Sequence, residues 1–254
     1  MSSTPSVAPI ERVQRNVSRL QISFARSERE LRESQRLRYE IFVDEMGATL
    51  HNRIPGHDHD ALDEHCRHLL VRDAGSGQLI GSTRILTDVT ARAAGGFYSE
   101  GEFDIEAIRR LPGRIMEIGR TCVHRDYRSG ATIATLWSGL AEFVADEGIN
   151  YLIGCASVPL ADGDAQRIFS DLSQKYMTPA QLRVTPKLAL PRQDLLAHSD
   201  YQLPPLLKAY LRVGARIGGE PCLDPDFKCA DLFILLDTVN LERRYARHFL
   251  GRPQ

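Results

Sequence analysis

Hydrophobic positions follow two periods along this chain, and the longest apolar run lies near its middle. From Arg114 to Val123, RIMEIGRTCV is apolar at both parities (Ile115, Met116, Ile118, Cys122, Val123), the pattern of a central strand covered on both faces. Tyr151 to Ala156 repeats the pattern in shorter form. Between them Ile133, Trp137, Leu140 and Val144 recur at helical spacing, which predicts a helix laid on a sheet. Strand, helix and strand in that order predict a crossover to a parallel neighbour.

Upstream, Leu20, Ile22 and Phe24 alternate with polar residues and predict a first strand. Ser27 and Glu30 form a capping box that opens a helix to about Asp44, stopped by Gly47. His68–Asp73 and Gln78–Thr87 predict a hairpin joined by Gly75-Ser76-Gly77. Ala91 to Gly101 reads as a loop, followed by a short helix over Asp104–Arg110. After Ser157 the pattern weakens: a helical piece at Ala165–Gln174 and three prolines (179, 186, 191) predict an insertion over about 159–202, covering one edge of a site. A helix at Leu203–Val213, an antiparallel pair (Ala215–Leu223, Asp231–Asp237) and a basic helix at Leu241–Leu250 complete the chain. Residues 1–18 read as a flexible polar lead, and 19–254 as a single domain.

Charge changes this picture at a few positions. Glu117 and Arg120 interrupt the central strand, where burial is costly unless charges are paired or used. Three apart, they would face opposite sides, but a bulge at Gly119 would bring them together. Arg84, in the second hairpin strand, also needs a carboxylate, with Glu117 and Asp63 as the candidates. The loop His124, Arg125, Tyr127, Arg128, Ser129, Gly130 places basic side chains and free N–H groups at a helix start, either a phosphate site or a solvated basic turn.

Composition narrows the class without naming a function. Lys and Arg number 32 against 33 Asp and Glu, a formal net charge of −1 that gives no sign of a nucleic-acid partner. Locally, residues 11–40 hold eight arginines against five glutamates, and the tail adds Arg243, Arg244, Arg247 and Arg252. Both ends suit an acidic partner or peripheral contact with the anionic inner membrane. The five cysteines (66, 122, 155, 222, 229) are odd in number and lack a C-x-x-C pair; Cys122 and Cys155 read as small core residues. A reducing, cytoplasmic setting is expected, with no apolar leader. His51, His57, His59, His65 and His68 crowd a segment that also holds Asp58, Asp60, Asp63, Glu64 and Cys66. A zinc site is one reading, but the spacing matches no structural zinc pattern; the expectation is no metal.

This order of elements is similar to the GNAT acyltransferase fold. The resemblance implies an α/β (α+β) protein with a mixed, mostly antiparallel central sheet flanked by helices and splayed at the thioester-binding strand pair. The loop departs from the usual R/Q-x-x-G-x-G/A, with Ala131 and Ile133 at the glycine positions, which counts against ordinary acetyl-CoA use. Arg38/Phe42, Asp60/Asp63, Gly81/Arg84 and Glu117/Arg120 resemble the R-x-x-x-F, D-x-x-D, G-x-x-R-L and E-x-x-R series of acyl-homoserine lactone synthases. More of the chain is similar to the L-ornithine N-alpha-acyltransferases: LRYEIFVDEMGA, DEHCRHLLV, GGFYSEGEFD, EIGRTCVHRDYRSG, YLIGCAS, PPLLKAYLRVGARIG and DPDFKCADLFILL. That resemblance implies transfer of a 3-hydroxy fatty acyl group from acyl carrier protein to the α-amino group of ornithine. Phosphopantetheine would arrive on the carrier, so no separate cofactor is implied. An amine attacking a thioester needs a base, for which Glu117 comes first and Asp63 second, with Arg120 beside them. Arg38, Phe42, Asp60 and Arg84 would hold the amino acid, or pin the first helix to the sheet as an ion network. Val123, Arg125, Arg128, Ser129 and Gly130 would hold the carrier's phosphopantetheine. A lactone synthase, or a GNAT-like domain that only associates with membrane or protein, are the alternatives.

Overall fold

A computed structural model describes residues 20–50, 54–128, 130–160, 164–191 and 201–239. The alternating run becomes β1 (Leu20–Phe24), and Ser27 caps α1 (Glu28–Tyr39), its Oγ accepting from Glu30 N at 3.3 Å while Arg26 N donates back to Glu30. The same helical stretch does not stay α-helical to Asp44. From Glu40 to Glu45 it winds as a π-helix, a wider turn that re-aims Phe42. β2 (Arg67–Asp73) and β3 (Leu79–Thr87) form the expected hairpin.

The stretch expected to be a loop is partly helical. Thr87 caps α2 (Asp88–Ala94) in reciprocal hydrogen bonds with Thr90, and Gly95 ends it at φ +90°. A 3-10 turn over Tyr98–Gly101 follows, then β4 (Phe103–Asp104) and a four-residue α3 (Glu106–Arg109), so the helix predicted from Asp104 starts later and is shorter. β5 (Arg114–Val123), α4 (Gly130–Glu147) and β6 (Ile149–Pro159) are the predicted crossover unit. α5 (Asp164–Tyr176) and β7 (Thr185–Pro186) lie in the stretch read as an insertion, β7 pairing with β4 apart from the main sheet. α6 (Pro205–Val213), β8 (Arg216–Ile217), β9 (Cys222–Asp224) and β10 (Cys229–Asp237) complete the described chain. The strand predicted over Ala215–Leu223 is thus two short ones, each pairing with a different part of β10. The lead at 1–18 and the basic helix at 241–250 lie outside the described residues.

The main sheet runs β1-β2-β3-β5-β6-β10-β8, with β9 also on β10; every pair is antiparallel except β5 and β6. Strand alternation sorts side chains to two faces. Leu69 and Val71 join Leu136, Leu140, Phe143 and Val144 of α4, whereas Leu70 and Cys122 join Leu37 of α1 and Ile41 and Phe42 of the π-helix. Burial of each such side chain contributes about 1.5–3 kcal/mol before entropy is counted. Helices on both faces explain why β3, β10 and most of β5 are buried. They also explain why charges within those strands stand out.

Candidate active site

The two parallel strands part. β5 and β6 pair from Arg114↔Ile149 to Glu117↔Ile153, with a register shift after Arg114, and pair no further, while β6 stays on β10 as far as Pro159. A bulge helps turn β5 away: Ser82 pairs with Cys122 but Arg84 pairs with Gly119, so β5 carries an extra residue. The sequence points to Gly119 for that bulge, but the left-handed residue is Arg120, at φ +52°. On β6, a side chain at Gly154 would run into the Ile118 carbonyl oxygen, so glycine permits the last close approach before the strands separate. Between them opens a largely apolar cavity of about 480 Å³, walled by residues such as Ile118, Val123, Ile133, Ala156, Leu206 and Tyr210.

Glu117 reaches this cavity at the point of parting. Its carboxylate accepts from Tyr98 N (2.6 Å), Ser99 N (2.8 Å) and Ser99 Oγ. A carboxylate has about four acceptor positions, so one is left for a ligand. Burial pushes the Glu117 carboxyl above its ordinary value, against the opposing hydrogen bonds from Ser99 and Tyr98. An orientated carboxylate with raised proton affinity is suited to general-base work.

Arg38, Arg84 and Arg120 instead join three aspartates from the polar segment 54–66. Arg38, fully buried, bonds Asp58 Oδ2 (2.9 Å) and both oxygens of Asp63 (2.9 and 3.0 Å). Arg84 Nη1 bonds Asp60 (2.6 Å) and Asp63 (2.9 Å), and Arg120 Nε bonds Asp58 (3.1 Å). Arg84 therefore takes Asp63, one of its two candidate partners, together with Asp60, and not Glu117. Gln35 adds a further donor to Asp63 at 3.0 Å. Burial alone would raise the Asp63 carboxyl; Arg38 and Arg84 overcome it and hold it well below the usual carboxylate range. A carboxylate so held is a weak proton acceptor, so the geometry favours Glu117 of the two candidate bases. Phe42 sits edge-on to Phe227 at 5.5 Å, and the Arg120 guanidinium lies over the rings of Tyr98 (5.0 Å) and Phe227 (4.7 Å).

The clustered histidines have separate surroundings. His57 Nδ1 lies 2.9 Å from the Pro55 carbonyl, and His68 Nε2, deep in the fold, lies 3.1 Å from the Asp63 carbonyl. His51 lies outside the described residues. The basic loop approaches acidic residues of the π-helix: Arg128 Nη2 is 2.5 Å from Glu45, and Arg125 lies 3.7 Å from Glu40 and 3.9 Å from Glu45. Arg128 Nε also bonds the Val123 carbonyl (3.1 Å). Val123 is buried, Gly130 begins α4, and Ser129 lies outside the described residues. Tyr210 of α6 lines the cavity and meets Trp137 edge-on at 5.6 Å; Lys208 of the same helix is exposed.

Sequence reasoning missed Tyr98 and Ser99, the donors to Glu117, along with Phe227 and a second acidic group, Glu102, Asp224 and Asp231. Cys155, read as a core residue, packs against the core and also lines the cavity.

Against this geometry, residues 37–138 match the acetyltransferase (GNAT) domain family. The chain is 33% identical to an L-ornithine N(alpha)-acyltransferase of Agrobacterium fabrum, over 94% of this chain and 87% of that one. It belongs to the L-ornithine N(alpha)-acyltransferase family. Members are acyltransferases, and so is this chain. The same fold recurs in FeeM, an N-acyl amino acid synthase from uncultured soil microbes, at 12% identity and a TM-score of 0.55, with 92% of this chain and 98% of that one covered. It recurs too in the AHL synthase LasI, at 13% identity and 0.53, covering 88% and 95%. Among the described residues no helix is long and apolar enough to cross a membrane.

Proposed function

We propose that the chain transfers a 3-hydroxy fatty acyl group from an acyl carrier protein thioester to the α-amino group of L-ornithine. Family membership supports the acceptor, and the apolar cavity beside the parted strands has the character a fatty chain needs. The observation that carries the reading is Glu117, clamped by Tyr98 and Ser99 at the cavity wall with an acceptor position to spare. Its role is to take the proton from the attacking amine, directly or through one water. The thioester carbonyl then becomes a tetrahedral oxyanion, for which the released β5 edge around Ile118 and Gly119 offers backbone N–H groups. Collapse breaks the C–S bond, and the carrier thiol leaves with a proton. Arg120 supplies the bidentate partner for the amino-acid carboxylate. Asp58, Asp60 and Asp63 hold Arg38, Arg84 and Arg120 in place, so that structural and substrate roles meet in one network.

The donor arrives from the side of the loop Val123–Gly130. Arg125 and Arg128 there pair with Glu40 and Glu45, bonds that an acidic carrier would replace with its own. The test supplies 3-hydroxyacyl carrier protein with ornithine or with S-adenosylmethionine and identifies the product by mass. N-acylornithine is expected. A homoserine lactone would transfer the assignment to the lactone synthases, and no thioester turnover with either would overturn an enzymatic reading of this donor.

A further inference from the structure

One acidic group near the site serves neither the ion network nor the base. On the β6–β10 side of the split, Glu102, Asp224 and Asp231 gather with Cys155 and Cys229. An oxygen of Glu102, an oxygen of Asp231 and Cys155 Sγ lie within 4.8 Å of one another, as do donor atoms of Asp224, Cys229 and Asp231. Asp231 is 3% exposed, yet it lines the cavity, and among the described residues its Oδ1 has no donor at hydrogen-bond distance. The same holds for both oxygens of Glu102, which are likewise buried. Asp224 differs, its Oδ1 accepting from Asp226 N and Phe227 N at 2.9 and 3.0 Å. Unanswered buried carboxylate oxygens cost stability, and a fold keeps them where a ligand supplies the missing donors.

We propose that Asp231 and Glu102, with Asp224 behind them, form the subsite that receives the side-chain ammonium of a diamino-acid acceptor. The proposal rests on the transfer reading above and deepens it, by naming what selects the acceptor. Placement agrees with it: Ser99 Oγ donates to Glu117 and lies 3.4 Å from Cys155 Sγ, which itself belongs to the acidic group. The base for the α-amine and the anion for the far amine are thus linked through the Ser99 hydroxyl and the Cys155 thiol. An ammonium brings three donors to oxygens spaced as these are. It also fits the thiols as they stand, because burial pushes Cys155 and Cys229 well above the ordinary range and keeps them protonated. Burial likewise raises the Glu102 carboxyl, reinforced by Asp231. It raises Asp231 too, with Asp224 adding to it and Ser157, Glu102 and Arg120 opposing. Arrival of the cation would therefore release protons.

The test compares ornithine with norvaline (the same backbone lacking the far amine) and lysine, using the full chain and 3-hydroxyacyl carrier protein. Wild type is expected to prefer ornithine to norvaline by about 100-fold or more in kcat/KM, since a site built to bond an amine rejects its absence. Asp231→Asn and Glu102→Gln are each expected to shrink that ratio by about tenfold, mainly through the ornithine KM. Should a variant misfold, calorimetric binding of ornithine and norvaline to wild type, in buffers of different ionisation heat, reads the site directly. Tighter ornithine binding with proton release supports the subsite. Equal acylation or equal binding of norvaline overturns it while leaving the transfer reading intact, whereas failure of turnover alone, with selective binding retained, counts against the transfer reading only. Activity that EDTA abolishes and Zn²⁺, Mn²⁺ or Mg²⁺ restores would make the group a metal site and overturn the ammonium assignment.

Discussion

Two clusters of acidic residues reach the same cavity, one through its partners Arg84 and Arg120 and the other through Asp224 and Asp231, and they are opposite in kind. Asp58, Asp60 and Asp63 meet three guanidiniums in bonds of 2.6 to 3.1 Å, with Gln35 adding another donor. Glu102 and Asp231 keep buried oxygens that, among the described residues, have no donor at hydrogen-bond distance. A balanced network positions chemistry, because its members have already spent their capacity on one another. An unbalanced one is completed by what it binds. Glu117 stands between the two: three protein donors fix it, and one lone-pair direction remains open.

The largest effect expected from breaking this contrast is on Glu117. Glu117→Gln should lower kcat by about 10²–10⁴-fold with little change in the amino-acid KM, followed as release of free carrier thiol. A loss below tenfold would remove the residue from the proton-transfer role. Next comes the balanced network. Arg38→Met leaves Asp58 and Asp63 buried without their main counter-charge and should cost about 3–5 kcal/mol in urea unfolding. A change under about 1 kcal/mol would show that helix α1 does not depend on it.

Acid and alkali should then separate the two groups. Asp60 and Asp63 have lowered folded values, so their stabilisation is complete above the ordinary aspartate value of 3.8 and is lost as pH falls through the folded values. Glu102 and Asp231 have raised values, so their share is complete below the ordinary values of 4.5 and 3.8 and is lost as pH rises through the folded ones. Melting temperature against pH should therefore fall on both sides of a maximum, and Asp231→Asn with Glu102→Gln should flatten only the limb that descends from the ordinary carboxylate values to about 8. An unchanged descent over that window would mean that these carboxyls are not the groups responsible. The smallest effect concerns the entrance: Arg125→Glu or Arg128→Glu should raise the donor KM severalfold at low salt, spare the acceptor KM, and shrink as salt screens exposed charge. The reverse pattern would refute the assignment of this loop to the donor.

Much of this was legible from pattern alone, for one physical reason: a charge inside a doubly covered strand has nowhere cheap to go. That reasoning finds Glu117, Arg120 and Arg84. It applies equally to Asp231, the one charge inside the apolar run ADLFILL of β10, but near a strand's start an aspartate reads as turn chemistry and is passed over. Glu102 offers no such signal. It lies in a polar stretch, GGFYSEGEFD, and only tertiary folding brings it to Asp231. Tyr98 and Ser99 act on Glu117 mainly through backbone N–H groups, which no residue type announces. Helix α2 is short and its caps, Thr87 with Thr90 and Gly95, are easily taken for loop residues. Arg120 rather than Gly119 takes the left-handed position because its guanidinium, held by Asp58 and stacked on Tyr98 and Phe227, repays about 1–2 kcal/mol of backbone strain.

The parting of β5 from β6 has a consequence for inheritance. The slot is edged by two strands whose main chains no longer pair, Ile118 to Val123 on one and Cys155 to Ser157 on the other. Peptide groups do not mutate. A lineage can exchange nearly every side chain around such an opening and still present the same rows of donors and acceptors to a guest, so what it must guard is the divergence itself, kept by one kink and one missing methyl group at Gly154.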